Sequence, residues 1–103
     1  MNDEFGLKPE IIRKIQTKLS NYPEIEEAIL YGSRAMGNYK NGSDIDLTLK
    51  TSEHNMTLSI IEIGVALDEL NLPYTFDLSF YKNLNNPDLI DHINRVGISF
   101  YKK

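Results

Sequence analysis

The sequence predicts an α/β (α+β) domain, with one mixed β-sheet of about four strands and helices packed on one face. Three observations carry this expectation. Apolar residues recur at helical spacing in three segments, two further segments alternate apolar and polar residues, and the two kinds of segment follow one another along the chain. With 103 residues, of which 41% are hydrophobic and 25% charged, the chain is expected to form a single domain over residues 1–103 with a modest core.

The first helix is expected to start at Pro9, since proline suits a first helical turn, and to bury Ile11, Ile12, Ile15 and Leu19. Asn21-Tyr22-Pro23 stops it, because the residue before a proline avoids the helical region. Ala28 to Tyr31 is a short apolar run that reads as a buried strand ending at Gly32. Ser33 is expected to open a short helix through Arg34 and Met36, and Gly37 to Gly42 reads as loop. In the next strand Ile45, Leu47 and Leu49 face one way, and Asp44, Asp46 and Thr48 the other. Ser52 can cap a helix running to about Leu70 on a stripe of Met56, Ile60, Ile63, Leu67 and Leu70. Tyr74 to Phe80 alternates again, with Thr75, Asp77 and Ser79 on its polar side. Asn86-Pro87 starts a last helix bearing Leu89, Ile90, Ile93 and Val96, which Gly97 ends, and Ile98 to Tyr101 is a short strand expected at an edge.

Composition removes several classes of function. The chain has no cysteine, which excludes disulfides, thiolate catalysis and cysteine-based zinc sites. A net charge of −4 without any block of Lys and Arg argues against nucleic acid as the main partner. No apolar run is long enough to span a membrane, and the acidic start, Met1-Asn2-Asp3-Glu4, does not read as an export signal, so a cytoplasmic location is expected. His54 and His92 are far apart and read as helix-surface positions.

The residues that suggest chemistry lie between Gly32 and Asp77. Asp44 and Asp46, two apart on a strand, project from one face, where their mutual repulsion is relieved by a shared hard cation. Mg²⁺ takes oxygen ligands of this kind together with substrate phosphates. Asp77 would add a third carboxylate if its strand lies beside theirs. Gly32 lets the backbone approach a ligand closely, and N–H groups at the start of the helix after it suit phosphate, with a Ser33 hydroxyl and an Arg34 charge in reach. Gly42-Ser43 leads directly into Asp44. Taken singly, an Asp-x-Asp strand also suits a solvated face and a Gly-Ser pair an ordinary turn; their combination favours a nucleotide site. Tyr39 and Lys40 flank it as candidates for base and phosphate contact, while Tyr31 reads as core.

The segment GSRAMGNYKNGSDIDL resembles the signature of the DNA polymerase β-like nucleotidyltransferase superfamily, in which Gly-Ser precedes Asp-x-Asp by about ten residues. Its fuller form looks like the minimal nucleotidyltransferase branch, whose short chains are often encoded beside a HEPN-domain protein as antitoxins. The resemblance implies a nucleotidyltransferase fold. It implies that Gly32 and Ser33 hold a nucleoside triphosphate, aided by Arg34, Gly42 and Ser43. It also implies that Asp44, Asp46 and Asp77 bind one or two Mg²⁺ ions, with Asp77 helping to activate the acceptor hydroxyl. The activity implied is transfer of AMP from ATP to a tyrosine of a HEPN-type toxin, in a homo- or hetero-oligomer. A non-catalytic module that neutralises its partner by contact, or a transferase acting on a small molecule or RNA, stays open as an alternative.

Overall fold

The computed structural model describes residues 3–52 and 57–103. His54, and Met56 at the head of the expected helical stripe, lie outside the described residues.

The elements follow the expected order. Helix α1 spans Pro9–Leu19, strand β1 Ile25–Tyr31, helix α2 Gly32–Met36, strand β2 Ile45–Thr51, helix α3 Ile60–Asp68, strand β3 Phe76–Phe80, helix α4 Pro87–Val96 and strand β4 Ile98–Lys102. A 3₁₀ turn, Tyr81–Asn83, follows β3. The sheet order is β3-β2-β1-β4, with β1 antiparallel to both β2 and β4 and β2 parallel to β3. The sheet is therefore mixed, and β4 lies at an edge as expected.

Two local signals set the later helices. Asn86 caps α4 by accepting from the N–H groups of Asp88 and Leu89, and Pro87 fills the first turn, where no donor is needed. For α3 the expected cap was wrong. Ser52 lies just beyond β2, and the described helix begins at Ile60, with the Ser59 hydroxyl accepting from Glu62 N–H at 3.0 Å. Ser59-Ile60-Ile61-Glu62 has the Ser-x-x-Glu spacing of a capping box, a sharper start signal than Ser52.

Strand β1 is longer than its apolar run. Glu26 and Glu27 lie within a strand paired on both sides, because Ile25 is buried and anchors its start. Ile45, Leu47 and Leu49 of β2 pack with Ala28 and Leu30 of β1 against Ile15 and Leu19 of α1 and Ile63 and Leu67 of α3, all buried. That face is the core. On the other face α4 adds cover at one end, where Gly97 lies so close to Ile29 that a Cβ would come 2.6 Å from the Ile29 Cγ2 atom.

Before α1 the chain makes a tight turn. Glu4 and Leu7 exchange backbone hydrogen bonds of 3.0 and 2.7 Å across Phe5 and Gly6, whose φ angles are +58° and +74°. Two successive positive φ values define a turn of the I′ type, which glycine tolerates and phenylalanine adopts at a cost. Phe5 is held there by packing on Phe100, with ring centroids 6.2 Å apart.

Candidate active site

Strand register assembles the site. Tyr31 of β1 pairs with Asp46 of β2, and Asp46 pairs with Asp77 of β3, so these three residues form one row across the sheet. Residues two apart share a face, so Asp44 stands on the same side as Asp46. The next row is also polar: Thr48, fully buried, accepts a 2.9 Å hydrogen bond from the Ser79 hydroxyl. Asp44 and Asp77 are exposed and Asp46 is half-buried. The Asp44 carboxylate accepts a hydrogen bond from the Thr75 hydroxyl. The sequence left open whether Asp77 lies beside the other carboxylates; the parallel β2–β3 pairing puts it there.

The electrostatics are those of crowded acids. Asp46 is held above the ordinary carboxylate range, first by desolvation and then by the charges of Asp77 and Asp44, with His92 and Arg34 opposing. The Tyr31 phenol is also pushed up, by burial and then by Asp77 and Asp46, with the Ser79 hydroxyl working against that shift. Tyr31 is buried, as expected, but its hydroxyl belongs to this acidic face rather than to the apolar core. Among the described residues, no three carboxylate or imidazole side chains are gathered closely enough to hold a metal by themselves. Oxygen donors that repel one another suit a hard cation that takes one or two carboxylates and completes its shell with phosphate and water.

Gly32 sits against this row. Its φ is +75°, and a Cβ there would lie 2.2 Å from Asp46 Oδ2. No other residue fits, so the backbone at the strand-to-helix turn rests on the carboxylate. The Gly32 N–H donates to His92 Nε2 at 3.1 Å, and the His92 ring meets Tyr31 edge-on at 6.2 Å. His92 is thus a half-buried member of the site rather than the helix-surface residue expected. The signal was its position three residues after Leu89 and next to Ile93, which puts it beside the apolar stripe of α4. Ser33 opens α2, and its carbonyl accepts from Gly37 and Asn38 at 2.9 and 3.1 Å.

Arg34 is a buried cation. It is only 2% exposed and is committed to the protein's own backbone. Its Nε and Nη2 atoms donate to the Ser43 carbonyl at 3.2 and 2.9 Å, and Nη1 donates to the Phe5 carbonyl at 2.8 Å. The guanidinium also lies 5.4 Å from the Tyr39 ring centre and 5.0 Å from that of Tyr74. A buried cation so tied is a strut for the loop before Asp44. Gly42 and Ser43 likewise shape that loop. A Cβ at Gly42 would meet nothing within 4 Å, and the Ser43 hydroxyl accepts from Lys40 N–H at 2.8 Å.

The mixed sheet thus sets aspartates of adjacent strands beside a glycine turn that leads into a helix. Residues 13–103 match the family described as Polymerase beta, Nucleotidyltransferase, and the chain belongs to that family. Solved structures share its fold. A chain of the "toxin-antitoxin with AMP-PNP" superposes with a TM-score of 0.68 at 20% identity, covering 94% of this chain and 75% of that one. A chain of the "toxin-antitoxin MntA-HepT" gives 0.65 at 18%, covering 93% and 74%. A chain of the tri-AMPylated Shewanella oneidensis HEPN toxin in complex with MNT antitoxin gives 0.65 at 18%, covering 91% and 71%. Comparison with curated proteins gives no match.

Proposed function

We propose that this chain is a Mg²⁺-dependent nucleotidyltransferase that transfers AMP from ATP to a tyrosine hydroxyl of a partner HEPN-type toxin, acting as its antitoxin in the cytoplasm. The observation that carries the reading is the Asp46–Asp77 pair, side by side on adjacent strands with the Gly32 turn resting on Asp46. Support for donor and acceptor comes from the structures of like fold, one of which holds AMP-PNP and another an AMPylated HEPN toxin.

Each part has a task in this chemistry. Gly32 and Ser33 receive the triphosphate: glycine lets the phosphates approach the turn closely, and Ser33 offers its hydroxyl, while the Gly32 N–H is already held by His92. Mg²⁺, one ion or two, held by Asp44, Asp46 and Asp77 together with the phosphates, would supply the positive charge that nucleotidyl transfer requires. The acceptor oxygen attacks the α-phosphorus; the new O–P bond forms as the bond to pyrophosphate breaks, and pyrophosphate leaves. Asp77 is exposed, so it can meet the acceptor hydroxyl and take up its proton. Asp46, half-buried under Gly32, stays with the donor.

The test is incubation of the chain with Mg²⁺, ATP labelled at the α-phosphate, and the protein encoded beside it. Label should pass to the partner, and chelation of the metal should stop it. A wild-type chain that binds the partner tightly but transfers no label would make it a binding module. Label passing to RNA or to a small molecule instead would overturn the acceptor assignment.

A further inference from the structure

Beside the acidic row lies a cavity of about 210 Å³, lined by Gly6, Arg34, Tyr39, Asn41, Pro73 and Tyr74. Two larger hollows flank α1 and lie away from the carboxylates. The smaller one is tied to the acidic row through two neighbours of its lining residues. Thr75, next to Tyr74, donates to Asp44, and Ser43, whose carbonyl Arg34 holds, precedes Asp44 in the chain. We infer that this cavity is the nucleobase subsite of the nucleotide site, an inference that rests on the nucleotidyltransferase reading above.

The lining argues for a flat aromatic ligand. Tyr39 and Tyr74 contribute rings, and the buried Arg34 guanidinium fixes both by lying near each. Gly6 packs its backbone directly on the Tyr39 ring, where a Cβ would collide, and so braces the ring from that side. Tyr39 is itself 38% exposed, so ring surface remains for stacking. The Asn41 amide offers a donor and an acceptor together, the pattern that pairs with the edge of a base. The volume falls below the roughly 300–1,000 Å³ of pockets that enclose whole drug-sized ligands, and so suits one ring system whose sugar and phosphates lie outside.

Calorimetric titration with ATP and with inorganic tripolyphosphate, both with Mg²⁺, separates the base from the phosphates. Tyr39→Leu should weaken ATP binding by about tenfold or more, as expected for one lost stacking contact. Tripolyphosphate binding should be unchanged, and Tyr39→Phe, which keeps the ring, should bind ATP nearly as wild type does. Unaltered ATP affinity in Tyr39→Leu would overturn the subsite, as would an equal loss for both ligands, which would mean the ring merely holds the loop. A Tyr39→Leu protein that binds ATP normally but needs far more partner protein would assign the cavity to the acceptor instead. If wild type binds neither ligand, the nucleotide reading itself fails and the subsite falls with it.

Discussion

The two faces of strand β2 are built from alternate residues and obey opposite rules. Ile45, Leu47 and Leu49 are fully buried against α1 and α3 and lose nothing by being interchangeable hydrocarbon. Asp46, one residue away from two of them, is half-buried among like charges and is raised above its ordinary pKa by that placement. The apolar face therefore supplies the stability that the acidic face draws down. Rigidity of the one is what keeps carboxylates close on the other.

Breaking each face in turn should separate the two contributions. Leu47→Ala should cost about 2–5 kcal/mol of stability, read by denaturant unfolding, because it leaves a cavity in a closed core. Transfer by the fraction still folded should be nearly normal. Asp46→Ala should reverse that pattern, lowering AMP transfer on the order of 100-fold or more while the unfolding midpoint holds or rises. Gly32→Ala belongs to both faces. Its methyl group would collide with Asp46 at a positive φ, so a loss of roughly 1–3 kcal/mol should accompany loss of transfer. If Gly32→Ala keeps full activity, the turn is not part of the donor site.

The smallest effect sharpens the comparison most. A carboxyl whose folded pKa is raised binds its proton more tightly folded than unfolded. Its presence therefore favours the native state below the ordinary carboxylate pKa, and that benefit is lost as pH rises through the folded value. Asp46→Asn should accordingly raise the melting temperature at neutral pH relative to wild type, and the gap should close on acidification. Mg²⁺ should close it too, stabilising wild type and leaving Asp46→Asn unmoved. A wild-type melting temperature indifferent to Mg²⁺ would count against Asp46 as a ligand.

Local signals made much of this molecule legible in the sequence. The Asn86-Pro87 start of α4 and the alternation in β2 and β3 lie within a few residues, and the structure follows both. Where two local signals competed, as Ser52 and Ser59 did, the stronger box at Ser59-Ile60-Ile61-Glu62 decided. The carboxylates were readable as a set because the period of a strand is two, yet the neighbourhood of Asp46 and Asp77 depends on strand order, a long-range fact. The burial of Arg34 and the site position of His92 depend on remote partners in the same way. The partners of Arg34 sit at Phe5, Ser43 and Tyr74, so nothing in its flanking residues announces its burial, whereas His92, bonded to the remote Gly32, was legible only from its place beside the apolar stripe of α4.

The Arg34 strut bears on the order in which the molecule assembles. Closing it requires the N-terminal turn, the loop before β2 and the segment before β3 to have arrived together, so it belongs to the last stage of folding rather than to its nucleus. The span that matches the family begins at residue 13, whereas the carbonyl that completes the strut belongs to Phe5. Trimming a version of this chain to the matched span would leave Asp44, Asp46 and Asp77 in place and still loosen the approach to Asp44.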